Sequence, residues 1–513
     1  MNRIIFTLLI ACLVLSKSLL AVEVLNDREW QQALALSEKL QKSAHYLSNL
    51  KIAILDNGFH GHSPEKKDLP ASTEMISSYS GGGFVSGNPL EWTPHGLRMA
   101  QIVWAVIGKP YYQSLAPKFY LLNANGLTNL RNSVKFAIDK KVDIILYSQN
   151  WEYGGNFDGR GFINAIVNEA SSRGILWINA AGNYGSSVYN GKVEERILRF
   201  ENLLDENSLA ITLSWNDFQE SEDYQTNKDL DFELLDESGK VIDIANRAQV
   251  KKNADDSRKS TSHARERLTV TLSRGHYSIH IKKMAGAFAH TDRMRLTLLG
   301  QKSDNSINFI NHTSDDEIMI PGDNKSVLTI GSKESFSARG KNNKPEITIA
   351  HSEIIFSDGT QNRGTSNAAA IVAGVALLIK GELASESKER TFSKNSVINF
   401  FNSNAASPSL PAPILRALTE AGEILLSDIR IENDPQTNRP VIILKDTPCK
   451  LLPYFFKNSF AHARATGTPL EMYRFYIAAS NGPRSFLGVE TFFSRQDIPT
   501  PLPSGYNWIE LRK

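Results

Sequence analysis

Short apolar runs alternate with amphipathic stretches in the first part of the chain, between residues 51 and 185. Each run is short enough to be a strand that is buried on both faces. The stretches between them carry apolar side chains at helical spacing, as in 99–106 and 130–138. This alternation predicts an α/β fold with a mostly parallel sheet flanked by helices. The predicted strands are 52–55, 118–122, 142–147 and 175–179.

The same pattern resumes after residue 314. A strand is predicted at 326–330, and a helix at 368–379 is apolar on every side. Because a helix without a polar face must be surrounded by protein, this one is predicted to be central and buried. We therefore predict one α/β domain made of two separated parts, 51–194 and 315–427.

The stretch between these parts, 195–314, follows a period of two residues. Leu230, Phe232 and Leu234 alternate with polar residues, and three further runs do the same. Period-two strands predict half-buried antiparallel sheets, so we interpret this stretch as an inserted β-sandwich. The turn at 273–276 predicts a hairpin between the strands on either side of it.

The last region, 428–513, is again rich in predicted strands. No motif in it indicates chemistry, and we predict a β-rich region without an assigned role. Its candidate strands are 440–444, 472–478 and 486–493.

Composition and charge exclude several classes of protein. The 513 residues are 41% hydrophobic and 22% charged, which is typical of folded globular proteins. Lys and Arg number 57, Asp and Glu number 55, and the net charge is +2. The charge is thus nearly balanced, so no nucleic-acid partner is predicted. Two cysteines are too few for a disulfide framework.

Residues 1–21 predict export. A positively charged start precedes an apolar run, and Ala21 offers a cleavage point. Lys17 interrupts the run too early for a helix that must span about 30 Å. The mature chain, beginning with a spacer over 22–50, is predicted to be secreted or periplasmic and to have no transmembrane segment. A lipid anchor on Cys12 is the alternative.

Four polar residues stand at the ends of predicted strands or at the starts of helices. Asp56 follows the first strand, His95 opens a helix, Asn183 follows the strand at 175–179, and Ser366 lies in the first turn of the apolar helix. Each one alone is explained by a turn or a helix cap. Together they are the groups that a catalytic triad with an oxyanion hole requires.

Around these four residues the sequence resembles the subtilisin-like serine peptidases. The resemblance covers about 51–189 and 316–385, and its motifs occur in the order typical of that family. It implies a serine nucleophile at Ser366, a general base at His95, an orienting carboxylate at Asp56 and an oxyanion donor at Asn183. The motifs are Asp56-Asn57-Gly58, His95-Gly96-Leu97, Ala180-Ala181-Gly182-Asn183 and Gly364-Thr365-Ser366-Asn367-Ala368-Ala369-Ala370.

The sequence departs from the family motifs at three positions, and the resemblance also implies which residues contact substrate. Leu97 and Gln101 replace a threonine and a small residue of the helix, and Ala370 stands where a proline is common; we interpret all three as repacking. The residues expected to contact substrate are Ser148, Gln149, Asn150, Ala180, Ala181 and Gly182.

The predicted function is that of an exported serine endopeptidase acting on protein or peptide substrates. The reaction requires no cofactor and no metal site is predicted, although relatives often bind calcium and Asp229, Asp231 and Asp236 could serve as ligands. One alternative is a catalytically idle relative that uses its β-sandwich for binding. Another is a hydrolase of esters, although no G-x-S-x-G motif surrounds Ser366.

Overall fold

The computed structural model describes most of the chain between residues 47 and 404, together with five strands beyond it. The chain divides into two compact units, which meet in sequence at residues 403 and 404. The predicted signal peptide, Cys12 and most of the spacer 22–50 lie outside the described residues. The described residues are 47–62, 68–76, 93–107, 116–250, 258, 261–300, 306–349, 352–385, 392–404, 429–433, 440–444, 472–478, 485–492 and 506–512.

Strands and helices alternate at both ends of the first unit, and a long series of strands separates the two ends. Before this series the elements are β1 (Lys51–Asp56), β2 (Glu74–Ile76), α1 (His95–Val106), β3 (Lys118–Asn123), α2 (Leu127–Asp139), β4 (Ile144–Tyr147), α3 (Phe162–Ser172) and β5 (Leu176–Ala180). The series comprises β6 (Val188–Lys192), β7 (Arg196–Asn202), β8 (Asn207–Trp215), β9 (Asp229–Asp236), β10 (Val241–Ala245), β11 (Arg265–Leu272), β12 (Gly275–Ala285), β13 (Arg293–Gly300) and β14 (Ile307–Phe309). After it come β15 (Leu328–Ser332), β16 (Ile347–Ile349), β17 (Ile354–Ile355), β18 (Gln361–Asn362), α4 (Thr365–Ser385) and α5 (Lys394–Asn404).

The central sheet of the first unit is parallel throughout. Its seven strands lie in the order β16-β15-β5-β4-β1-β3-β2. Strands β1, β3, β4 and β5 are buried along almost their whole length. A parallel sheet covered on both faces has no solvent side, which is why these strands are continuous apolar runs in the sequence. The prediction of an α/β fold with a mostly parallel sheet is confirmed.

Helix α4 is buried, as predicted, and it packs closely on helix α1. All its residues from Ala368 to Leu377 are buried. The two helices approach each other at Gly374, where a Cβ atom would lie 2.7 Å from Cβ of Val106. Because α1 begins at His95 and Ser366 lies in the first turn of α4, this packing helps to fix the positions of both residues.

The insertion contains two antiparallel sheets that share one core. Their strand orders are β10-β9-β12-β7-β14 and β11-β8-β13-β6. Alternate residues point into the core, where Ile211, Phe232 and Leu296 are fully buried. Strand β6 begins at Val188, ahead of the boundary drawn at residue 195. Its sequence, Val-Tyr-Asn-Gly-Lys, lacks the period-two pattern that marks the other strands.

The hairpin predicted at 273–276 is not formed, and that prediction was wrong. Strand β11 ends at Leu272 and pairs with β8, whereas β12 pairs with β7 and β9 in the other sheet. The buried Asn202 holds this crossing, because its Nδ2 donates hydrogen bonds to the carbonyl oxygens of Leu272 (3.1 Å) and Ser273 (2.8 Å). Alternation identifies a strand and its buried face, but it contains no information about the pairing partner.

The second unit is described by its strands alone. They are β19 (Ile429–Asn433), β20 (Pro440–Leu444), β21 (Met472–Ala478), β22 (Ser485–Phe492) and β23 (Tyr506–Arg512). They form a mixed sheet in the order β19-β20-β23-β21-β22, in which β20 and β23 are the parallel pair.

Candidate active site

The carboxyl ends of three adjacent strands meet at one edge of the central sheet. Strand β1 ends at Asp56, β4 is followed directly by Ser148, and the loop after β5 contains Asn183. These strands are neighbours in the order β5-β4-β1. Open α/β sheets bind their ligands at this edge, so the fold brings the predicted residues to the expected place.

Asp56 and His95 form a hydrogen-bonded pair. Their Oδ2 and Nδ1 atoms are 2.7 Å apart, Asp56 is fully buried, and the side chain of His95 is 29% exposed. Burial alone would lower the pKa of His95, but the charge of Asp56 and its hydrogen bond raise that pKa above the ordinary value. With Nδ1 facing the carboxylate, Nε2 is the ring nitrogen left to accept a proton.

The glycine that follows His95 is required by the close approach of helix α1 to the end of β1. A Cβ atom on Gly96 would lie 2.5 Å from Cβ of Asp56 and 2.5 Å from Cε1 of Phe59. The backbone N–H of Gly96 donates to the carbonyl of Gly58 at 2.9 Å. The His-Gly pair therefore places the imidazole against the carboxylate because the second residue has no side chain.

The second carboxylate oxygen of Asp56 is also bound. Its Oδ1 accepts hydrogen bonds from the backbone N–H of Asn57 (2.8 Å) and from Nε2 of Gln149 (3.3 Å). Three donors on one buried carboxylate hold it in a single orientation. The side chain of Gln149 thus contacts Asp56, a role that its place in the sequence did not reveal.

Ser366 lies in the first turn of helix α4 and faces the end of β4. Its Oγ donates to the carbonyl oxygen of Ser148 at 3.2 Å, and Oγ of Ser148 donates to the carbonyl oxygen of Ser366 at 3.4 Å. Within the described residues, no hydrogen bond joins Ser366 to His95. Such catalytic hydrogen bonds are often long without substrate and tighten when it binds.

The amide of Asn183 is held in one orientation by the residue before Ser366. Its Oδ1 accepts hydrogen bonds from the backbone N–H (2.9 Å) and the hydroxyl (3.0 Å) of Thr365. A backbone N–H can only donate, so Oδ1 must face it and Nδ2 points elsewhere. Neither Nδ2 nor the N–H of Ser366 has an acceptor among the residues that the structure describes. Both donors are free to bind a third group.

Thr365 connects both sides of this arrangement. Its hydroxyl donates to Asn183 and accepts a hydrogen bond from the N–H of Gly182 at 2.9 Å. The loop is held from the other side as well, since the N–H of Ala338 donates to the carbonyl of Gly182 at 2.9 Å. The Gly-Thr-Ser sequence was the available signal for Thr365, but the sequence alone assigned it no contact.

The family model described as the subtilase family matches residues 48–410 of this chain. The chain belongs to the subtilase family. It is 27% identical over 161 residues to subtilisin DY of Bacillus licheniformis, a match that covers 29% of this chain and 53% of that protein. The chain thus matches about half the length of this curated relative.

Solved structures that resemble this subtilase include two proteases. The Clostridium perfringens CspB protease is 16% identical, with a TM-score of 0.44, and the match covers 69% of this chain and 86% of that one. A lanthipeptide protease is 15% identical, with a TM-score of 0.37, and the match covers 73% of this chain and 86% of that one.

Residues 148–150, which follow β4 and are predicted to contact substrate, are held in place by a buried asparagine of β5. Nδ2 of Asn179 donates to the carbonyl of Gln149 (3.1 Å) and to Oδ1 of Asn150 (3.2 Å). Ser148 faces Ser366, as described above. Of the three predicted residues, Ser148 therefore contacts the serine, the side chain of Gln149 is turned to Asp56, and Asn150 is held by Asn179.

The other residues predicted to contact substrate, Ala180 to Gly182, are buried. Ala181 packs with Ile318, Ala338 and the partly buried Tyr184. A Cβ atom on Gly182 would lie 2.0 Å from Cζ of Tyr184, so this ring covers the face of the glycine. The space beside Gly182 is therefore occupied by Tyr184.

The departures from the family motifs have local partners in this subtilase. Leu97 is buried, and the buried Gln101 donates from Nε2 to Oδ2 of Asp68 at 2.9 Å. Arg98 donates to Oε1 of Gln101 at 3.0 Å. The polar residue within α1 is thus hydrogen-bonded at both ends of its amide, as a buried amide requires.

Two of the three candidate calcium ligands bind an arginine. The guanidinium of Arg258 lies 3.0 Å from Oδ2 of Asp229 and 3.3 Å from Oδ2 of Asp231. Asp236 lies at the other end of β9, where its Oδ1 accepts hydrogen bonds from Ser238 and Lys240. The described residues contain no group of three or more His, Cys, Asp or Glu side chains arranged to hold a metal.

The described part of the chain also contains no helix with the length and apolarity to cross a bilayer.

Proposed function

We propose that this subtilase is an exported serine endopeptidase that uses Asp56, His95 and Ser366 as its triad. The observation that carries the proposal is that two unpaired N–H donors, one on Ser366 and one on Asn183, lie at the start of α4, with the Asp56–His95 pair at the end of β1, the strand next to β4. The export signal that the sequence predicts over residues 1–21 supports a site of action outside the cytoplasm.

The proposed reaction proceeds through an acyl-enzyme. Oγ of Ser366 turns from the carbonyl of Ser148 and attacks the scissile carbonyl, while Nε2 of His95 takes its proton and then gives it to the leaving amine. Water, deprotonated by the same Nε2, then attacks the acyl carbon, the bond to Oγ of Ser366 breaks, Oγ takes the proton back from Nε2, and the carboxylic acid product leaves. Asp56 keeps the imidazole in the required tautomer and stabilises its charged form.

The oxyanion forms where the two free donors point. Nδ2 of Asn183 and the N–H of Ser366 bind the developing negative charge, and the positive N-terminal end of α4 adds to its stabilisation. Because Thr365 holds Asn183 before any substrate arrives, this stabilisation needs little reorganisation during the reaction. The proposed reaction therefore uses groups of the chain alone, with a protein or peptide as substrate.

The test is labelling of the purified protein with a fluorophosphonate probe, followed by hydrolysis of an unfolded protein. We expect the wild type to be labelled, and S366A and H95A to lose labelling and at least about 10⁴-fold of the activity. The control is S208A, a serine of β8 in the insertion, which should be labelled like the wild type. A folded wild type without labelling would favour the idle relative, and labelling with hydrolysis of esters but not of proteins would favour an esterase.

A further inference from the structure

A basic cleft lies on the insertion, at the edge of its four-stranded sheet. Its volume is about 530 Å³, and its lining includes three arginines and two threonines. None of the three guanidinium groups has a carboxylate within ion-pair distance in the part of the chain that the structure describes. The lining residues are Arg247, Thr261, Arg265, Arg267 and Thr269.

Strand register places two of these arginines on the face of the sheet that contacts the catalytic region. Arg265 lies opposite Ser214 of β8, and Arg267 lies opposite Thr212. Opposed residues of antiparallel strands project from the same face. That face meets the segment after β4, because Ser214 Oγ donates to the carbonyl of Glu152 at 2.9 Å and Thr212 Oγ1 donates to its carboxylate.

The cleft lies within reach of a peptide bound at the candidate active site. The guanidinium of Arg265 lies 3.9 Å from the ring centre of Tyr153. Tyr153 belongs to the segment that starts at Ser148, whose carbonyl accepts the hydrogen bond of Ser366. Even fully extended, the chain from Ser148 to Tyr153 spans at most about 17 Å.

A further arginine adds positive charge to the same face. Arg295 of β13 also lies opposite Ser214, two strands and therefore about 10 Å from β11. It is 1% exposed, its guanidinium lies 4.3 Å from the ring centre of Phe157, and its Nε and Nη1 have no hydrogen-bond partner among the described residues. Glu152 offsets one of these charges and the carboxylates of Asp316 and Asp323 act on Arg295, so the positive charge of the cleft comes from the three arginines that line it.

We propose that this cleft binds acidic side chains of the substrate, about five to eight residues away from the scissile bond. Guanidinium groups bind carboxylates through paired hydrogen bonds, and the two threonines supply further donors. Arg265 is already held against Tyr153, so its side chain loses less conformational entropy when the substrate binds. The inference rests on the proposed peptidase function and assigns to the insertion a role in substrate selection.

The first experiment compares two synthetic peptides that differ only by Glu or Gln at these positions. We expect the wild type to prefer the Glu peptide about three- to tenfold in kcat/KM, through KM, and to lose the preference at high salt. R247Q and R267Q together should abolish the preference. R199Q is the control, because it removes one positive charge from an exposed position of β7 in the other sheet and should keep the preference.

A second experiment separates this inference from the proposed function. Anisotropy of a labelled Glu peptide is measured with S366A, which cannot hydrolyse it, and with S366A carrying R247Q and R267Q. Tighter binding of the Glu than of the Gln peptide, lost with the two arginines, supports the cleft even if the wild type proves inactive. Equal affinity for both peptides overturns the cleft while leaving the peptidase intact. Equal competition by inorganic phosphate and by the unlabelled Glu peptide also overturns it, because the cleft would then be a site for small anions.

Discussion

The central sheet and the inserted sandwich each bury a carboxylate, and the surroundings of the two carboxylates differ. Asp56 ends a parallel strand, accepts three hydrogen bonds and faces a histidine whose pKa it raises. Glu266 lies within β11 and projects into the sandwich, where it is 1% exposed. Burial raises the pKa of Glu266 to about 7, although Gln249 and the N–H of Arg247 act against this effect, and Asp229 and Asp231 add to it.

The difference shows how each region uses its polar residues. In the parallel sheet, polar residues are kept to the strand ends, where neighbouring strands bring them together into one site. In the sandwich, polar residues alternate along each strand, and the strand register decides which face they occupy. Polar residues at strand ends therefore indicate chemistry in the parallel sheet. In the sandwich, the role of a polar residue depends on which part of the protein contacts the sheet face that carries it.

Replacing Asp56 should have the largest effect. We expect D56N to lower kcat by about 10⁴-fold, because an amide no longer stabilises the imidazolium or selects the tautomer of His95. Asp56 raises the pKa of His95, and the base must be neutral to accept a proton. The acid limb of the kcat/KM profile should therefore lie above the ordinary histidine pKa in the wild type and move to lower pH in D56N.

The control for this prediction is another aspartate that ends a strand. Asp236 is the last residue of β9 in the sandwich, and among the described residues its carboxylate binds the backbone and hydroxyl groups of the local turn. D236N should leave both kcat and the pH profile unchanged. An unchanged acid limb in D56N would show that another group titrates in the profile and would remove Asp56 from the proposed triad.

The sequence predicted the parts of this arrangement that depend on neighbours along the chain. Asp56, His95, Asn183 and Ser366 each lie at the end or start of an element that its own hydrophobic pattern marks. The contact of Arg265 with Tyr153 could not be predicted in this way, because it depends on how the sandwich lies against the catalytic region. The hairpin wrongly predicted between β11 and β12 has the same cause, because the pairing of strands depends on the packing of the whole sandwich.

A smaller effect is expected from replacing Gly364, the first residue of the Gly-Thr-Ser motif. A Cβ atom on Gly364, whose φ is +156°, would lie 2.7 Å from Nδ2 of Asn183. We expect G364A to displace this donor and to lower kcat by about 10²–10³-fold, with little change in KM. N183A should cause a similar loss, and the double variant should lose little more, because both changes remove the same interaction.

The control separates contact from backbone strain. Gly359 also has a positive φ, +86°, but a Cβ atom there would meet nothing within 4 Å. G359A should keep its kcat even if its melting temperature falls. A loss in G359A as large as that in G364A would mean that strain near α4, rather than the position of Asn183, limits the reaction.

The smallest effect concerns Glu266, and it affects stability rather than catalysis. Its folded-state pKa of about 7 lies above the ordinary 4.5, so the folded state holds the proton more tightly. The free energy of unfolding should therefore fall as pH rises from about 4.5 to about 7, by about 3 kcal/mol at most, and then level off. E266Q should remove this slope and melt a few degrees above the wild type at alkaline pH, whereas E237Q, at an exposed turn after β9, should melt like the wild type at every pH. Parallel melting curves for E266Q and the wild type would show that folding does not change how tightly Glu266 holds its proton, and would contradict this prediction.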